Sequence, residues 1–454
     1  MATQCAVRFN QDASFACMCT SRGVSIYSLE GHRRVLSLDI GTVSLAEMLF
    51  CTSLLALVGA GAASSQSPRW LRLWDTASNS LVKELGFTTS VLAVALNKVR
   101  LVVLLRRQAC VYELPSMRLL QTIDTPGGEA SLSDRGTARE VLALTPCSSP
   151  CLLALPCGPT PSGVFRVYDL LGGLGTSLPL PSSLPRPHGP APPSSWHSPE
   201  LSGDLPAGQD GNGGSTWAPG SPCPPMCSVL CEVEAHRSPL TFLAWSPDGC
   251  LLASASKTGT VVRVTRLPGA SRAFSLRRGS LPATITCLAF SALGMEPPLL
   301  AVASTRGTCH IFRLEEPGAA RSQQPAVAFN SAASMGAAAA AGVSAAVAVV
   351  AQELLTTVSR VPAVHAMVEP SRSLASIKVP CAGLIAQCAI FCKRNGAGSS
   401  AGSAADLSPS LDPASVSLTV ATQQGRLYEY ELNELRSPAG PRCCQTGEWD
   451  MLAA

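Results

Sequence analysis

Leu251-Leu-Ala-Ser-Ala-Ser-Lys-Thr-Gly-Thr-Val-Val-Arg-Val264 reads as an apolar strand, a glycine-containing turn and a second strand, and Leu300-Ala-Val-Ala-Ser-Thr-Arg-Gly-Thr-Cys-His-Ile-Phe312 repeats the pattern. Short apolar runs broken by a turn with glycine are a hairpin signature. The end of the second strand recurs along the chain as Ser25-Ile-Tyr-Ser-Leu29, Arg72-Leu-Trp-Asp-Thr76, Cys110-Val-Tyr-Glu-Leu114, Arg166-Val-Tyr-Asp-Leu170, Arg263-Val-Thr-Arg-Leu267, His310-Ile-Phe-Arg-Leu314 and Tyr428-Glu-Tyr-Glu-Leu432. Strand-rich units at a spacing of roughly 40 residues are propeller blades. Seven endings predict an all-β, seven-bladed, WD40-like β-propeller over residues 1–435, with 436–454 as a C-terminal tail.

Two intervals between endings, 97 and 118 residues, are too long for one blade. The first contains residues 171–230, which hold 13 of the 36 prolines and read as a disordered Pro/Gly-rich insertion. The second is a long blade-six loop over 315–371, which includes an Ala-rich run. Ser322 to Gln352 is free of charge, but alanine is weakly apolar and Gly336, Gly342 and Ser344 interrupt the run. It is therefore read as a long loop with a helix or a membrane-touching segment rather than as a span. A third polar stretch, Asn395 to Ser415, reads as a hairpin loop inside the last blade.

Composition narrows the class. Apolar residues make up 46% of the 454 and charged residues 14%, enough for a large core, and the net charge of +4 is too mild for bulk nucleic-acid binding. Any anion recognition must be local. The nineteen cysteines are scattered through strand-like runs and no signal sequence precedes them, so reduced thiols in a cytosolic protein are expected. Cys223, Cys227 and Cys231 straddle the insertion without an obvious fourth ligand, and no metal or other cofactor is implied. The six histidines form no nucleophile–base arrangement and there is no phosphate-binding glycine loop, so no enzyme is predicted.

The local anion site is legible at Leu276-Arg-Arg-Gly279, between the two look-alike hairpins. Successive side chains of a strand point to opposite faces, so Arg277 and Arg278 can enter different pockets. Guanidinium forks suit phosphate oxygens, and nearby Ser and Thr hydroxyls add donors. Ser254 and Ser256, two apart, share one strand face. The other arginine pairs, Arg33-Arg34 and Arg106-Arg107, lack such flanks and are expected on the surface.

These residues resemble the PROPPIN (WIPI) family of phosphoinositide-binding WD-repeat propellers of autophagy. Leu276-Arg-Arg-Gly279 matches the family signature, and Pro282-Ala-Thr284, Ser373-Leu-Ala-Ser376 and Val379-Pro380 are similar to the subgroup with Leu before the arginines. Arg8-Phe-Asn-Gln-Asp12 resembles the opening strand, and Ser44 to Leu49 with Leu54 to Gly59 the second blade. The resemblance implies two pockets for phosphatidylinositol 3-phosphate and 3,5-bisphosphate. The first is implied to use His236, Ser254, Ser256, Thr260 and Arg277. The second is implied to use Arg278, Ser304, Thr308 and His310. It further implies membrane contact by the blade-six loop, and a docking surface for an autophagy lipid-transfer protein at Asn10 and Asp12. Asn and Asp also favour plain turns there. The expected location is cytoplasmic, peripheral to preautophagosomal or endosomal membranes. The alternative is a WD-repeat scaffold that assembles proteins without reading lipid.

Overall fold

The computed structural model describes residues 6–61, 66–125, 141–158, 162–172, 227–315, 370–380, 385–392, 415–433, 435 and 441–452. Its sheets follow the sequence one after another. Among the described residues there are seven: residues 6–38, 43–86, 93–124 and 143–236 form the first four blades, 240–277 the fifth, 285–313 the sixth and 385–450 the seventh. Each blade is an antiparallel meander, as the hairpin reading predicts. Two blades borrow strands from beyond the long blade-six segment: Ala375–Lys378 completes blade six, and Ser371–Arg372 adds a fifth, parallel strand to blade five.

Three boundaries differ from expectation. Residues 228–230, placed in the insertion, begin the outer strand of blade four, Ser228–His236. Arg442–Asp450, expected as tail, is the outer strand of blade seven, paired from Arg426↔Asp450 to Asn433↔Arg442. Its residues are mostly exposed and polar, so they lack the apolar alternation by which a strand is recognised from sequence. Ser371, placed at the end of the loop, instead begins Ser371–Arg372, the fifth strand of blade five. Of the expected hairpin loop of blade seven, Asn395 to Ser415, all but Ser415, which begins the strand Ser415–Thr422, lies outside the described residues, as do 173–226 and the Ala-rich run within 316–369. Among the described residues no helix is long and apolar enough to cross a membrane.

The core lies between blades. Apolar side chains of the strands pack into clusters that join neighbours, such as Leu276, Val264, Ile285 and Phe312 between blades five and six. Side chains from two sheets interlock there as in any sandwich core. Among the described residues no strand is exchanged at the ring closure. The hydroxyl of Tyr27 instead donates to the carbonyl of Met451, His32 stacks on Trp449 with centroids 3.6 Å apart, and Val7, Met18, Leu427 and Met451 pack the seam. The hairpin turn of blade five depends on Gly259, whose φ is +57° and whose place would put a Cβ 1.9 Å from the carbonyl oxygen of Ala283.

Candidate anion-binding rim

Strand register sorts the candidate residues. Across blade five, Ser254 faces Arg263 and Arg263 faces Ser275, while Val261 faces Arg277 two residues further along. In-register neighbours and alternate residues of a strand share a face, so Ser254, Ser256, Arg263 and Arg277 line one side of the blade. His236 meets that side from the end of blade four, its Nε2 3.0 Å from the Ser254 hydroxyl. Arg278 follows the outer strand and turns to the other side. Its backbone N–H donates to the Thr260 carbonyl at 2.9 Å, its Nε to the Gly259 carbonyl at 2.9 Å and its Nη2 to the Leu281 carbonyl. The two adjacent arginines therefore serve two successive blade junctions.

The first junction is closed at its base. His236 is 7% exposed and Ser254 fully buried. Burial, with the nearby Arg263 charge, pushes the His236 pKa down to about 4. At neutral pH this ring is uncharged and is a support for Ser254, not a cation facing a ligand. Above it the Ser256 hydroxyl lies 3.1 Å from that of Thr258, and Arg277 is exposed at the rim. Arg263 points an Nη1 at the Ala235 carbonyl, and its Nε is buried without a hydrogen-bond partner among the described residues. Burial, Arg272 and Arg237 all lower its pKa, so three positive charges converge on one junction.

The second junction is built on the same plan from blade six. Val302 faces His310 as Ser254 faces Arg263, so Arg263 and His310 hold equivalent places on their third strands. Ser304 is fully buried, its hydroxyl 3.5 Å from that of Thr308. Burial and then the neighbouring Arg278 lower the pKa of His310, and its Nδ1 is buried without a hydrogen-bond partner among the described residues. Arg306 bears on Arg278 electrostatically and donates to the Pro282 carbonyl at 3.3 Å. Orphaned buried polar atoms call for an explanation in a folded protein. Arg263 Nε and His310 Nδ1 thus face the two junctions as donors or acceptors without a partner among the described residues.

Two expected residues are held by contacts of their own. Thr260, assigned to the first pocket, accepts the Arg278 N–H at 2.9 Å through its backbone carbonyl. Asn10, expected to meet a partner, is 5% exposed; its amide donates to Ser14 Oγ at 3.0 Å and to the Phe50 carbonyl at 3.2 Å, and accepts from the Phe15 N–H at 3.0 Å. It stitches the first blade to the second. Asp12 is exposed and caps the same turn through Ser14. Arg33, Arg34, Arg106 and Arg107 are all exposed, as their sequence context implies.

A family described as PROPPIN matches residues 226–361, the stretch that contains both junctions. Autophagy-related protein 18 of Aspergillus terreus is 32% identical over 325 residues, and that of Mycosarcoma maydis 35% identical over 311, covering 71% and 68% of this chain. The chain belongs to the PROPPIN family. The matched regions span 66% and 58% of those relatives' own lengths. Among solved structures, Kluyveromyces lactis Hsv2 superposes with a TM-score of 0.60 at 14% identity, covering 98% of this chain and 99% of its own. KlAtg21, solved with the coiled coil of AgAtg16, gives 0.57 at 20% identity over 99% and 100%. At such identities the likeness is one of fold. Within this PROPPIN rim, Arg263, Thr258, Arg272 and Arg306 escaped the sequence reading. A signal for Arg263 existed in its hairpin with Ser254, had the strand register been drawn.

Proposed function

We propose that this PROPPIN reads phosphoinositides carrying a 3-phosphate, phosphatidylinositol 3-phosphate and 3,5-bisphosphate, on autophagic membranes and there recruits autophagy machinery. One observation supports the reading above all: Arg277 and Arg278, consecutive in the chain, stand on opposite faces of blade five, each beside a row of buried hydroxyls and further cations. Arg277, Arg263, Ser256 and Thr258 form the first site, with His236 and Ser254 behind them. Arg278, Arg306, His310, Thr308 and Ser304 form the second. Guanidinium forks hold phosphate oxygens bidentately, and the hydroxyls satisfy those that remain. Two sites on one rim meet one bilayer together, so the second contact is intramolecular and avidity rises without added chemistry. Each arginine also gains about 1 kcal/mol near an anionic leaflet.

Recruitment of other proteins is part of the same reading. The fold neighbour KlAtg21, solved with a coiled coil, supports a propeller of this shape as a docking platform. If an autophagy lipid-transfer protein docks at the first blade, Asp12 is the side chain offered to it, since Asn10 is consumed internally. Flotation with phosphatidylcholine vesicles, with and without phosphatidylinositol 3-phosphate, tests the proposal. Wild type floats with the phosphoinositide alone, and Arg277→Ala/Arg278→Ala stays in the bottom fraction with an unchanged circular dichroism spectrum. Flotation of the folded double variant overturns the two-site reading in favour of a protein-assembly scaffold.

A further inference from the structure

Blade five carries a strand that its hairpins do not supply. Ser371–Arg372 runs parallel to the outer strand, with Leu276 opposite Ser371 and Arg277 opposite Arg372. In-register partners project to the same face, so Arg372 joins the face that bears Ser256 and Arg277 and extends it toward solvent. Both arginines are exposed. Among the described residues neither has a carboxylate within ion-pair distance. Like charges directly opposite each other in a sheet are destabilising, yet here the pairing persists. It is held from the far side: the Leu374 N–H donates to the Ile311 carbonyl at 2.7 Å, and Ala375–Lys378 is locked into blade six through Thr308↔Lys378 to Ile311↔Ala375. Arg372 is thus presented at the mouth of the first site by two anchored strands about 4.8 Å apart, a common strand spacing.

We propose that Arg372 is a further anion ligand of the first site, and that the Arg277–Arg372 pair takes a phosphate group additional to the one held deeper by Arg263 and the hydroxyls. The site then favours a multiply phosphorylated inositol ring. The inference rests on the phosphoinositide reading and assigns one more group of the headgroup to a named residue. A single anion between the two guanidiniums removes their repulsion and supplies both forks with oxygens. The same chemistry serves a lipid headgroup or a soluble inositol phosphate, and the two are separated by presenting each.

Titration calorimetry of the full chain with inositol 1,3-bisphosphate and with inositol 1,3,5-trisphosphate, beside vesicles bearing the corresponding lipids, tests it. Arg372→Ala is expected to weaken the trisphosphate by about tenfold, the effect of one charge-assisted contact, and the bisphosphate by no more than about threefold. Arg372→Lys, which keeps the charge and loses the fork, recovers part of the difference. The same ratios with vesicles assign the clamp to the lipid headgroup. An equal loss for both headgroups, no loss for either, or the same loss with inorganic phosphate alone overturns the proposal while leaving the phosphoinositide reading intact. Failure of wild type to bind any inositol phosphate or vesicle removes the reading beneath it instead.

Discussion

Blades five and six carry the same hairpin and place a basic side chain at the same point of the third strand, yet the two junctions differ in what is spent internally. At the first, the histidine is sealed against Ser254 and the arginines Arg263, Arg272 and Arg237 crowd the space above it. At the second, the arginine is the buried group, 6% exposed and bound to two carbonyls by its side chain, and the histidine is left with an orphaned Nδ1. One junction leaves Arg277 exposed at the rim over a neutral floor. The other preorganises its arginine and leaves the ring to respond. Two sites derived from one repeat can thus bind one chemistry with different stability and pH behaviour.

The largest expected effect removes both junctions at once. Arg277→Ala/Arg278→Ala forfeits two charge-assisted contacts of roughly 1.5–3 kcal/mol each, so vesicle affinity falls by more than about a hundredfold.

The next effect isolates the closed junction. His236 has a folded pKa near 4 against 6.5 when unfolded. The unfolded chain therefore binds the extra proton between those values, and the stabilisation is full above pH 6.5 and lost as pH falls toward 4. That amounts to on the order of 3 kcal/mol. Denaturant melts at pH 7.5 and 5.0 capture about 2 kcal/mol of it, and His236→Gln should flatten the slope in this window; an unchanged slope in the variant contradicts a buried neutral ring.

A third measurement separates the two arginines by stability. Arg278→Ala leaves the Gly259 and Leu281 carbonyls without their side-chain donor and is expected to destabilise by about 1–3 kcal/mol. Arg277→Ala, at an exposed position, should stay within about 0.5 kcal/mol of wild type. Equal melting temperatures for the two variants would erase the distinction between a rim group and a preorganised one.

The smallest effect concerns His310. Burial and Arg278 hold its pKa below the usual value, and a bound anion offsets the Arg278 charge and favours the imidazolium. Binding of a soluble headgroup should therefore strengthen by about threefold from pH 7.5 to pH 6, and His310→Ala should lose that dependence in calorimetry while retaining binding through Arg278.

Much of this was open to reading in the chain. The seven strand endings, the glycine turns and the composition-marked excesses locate the blades, because hairpins are local and their hydrophobic alternation is written in consecutive residues. Leu276-Arg-Arg-Gly279 was legible as two arginines on opposite faces because alternation alone sends neighbouring side chains to opposite sides of a strand. The outer strand Arg442–Asp450 was not legible, since an exposed edge strand needs no apolar pattern and is defined only by its pairing with Arg426–Asn433.

What only the tertiary structure decided are the partners across blades. Whether His236 is a ligand or a prop depends on Ser254 reaching its ring and on how much water the junction excludes. Asn10 ties the first blade to the second because the Phe50 carbonyl, 40 residues away, stands within reach of its amide. Arg372 lies beside Arg277 only because the chain returns from beyond blade six to the edge of blade five. The sequence determined the strands, the turns and the adjacent arginines, which depend on neighbours in the chain. Burial and charge depend on neighbours in space, and those are set by the closing of the ring.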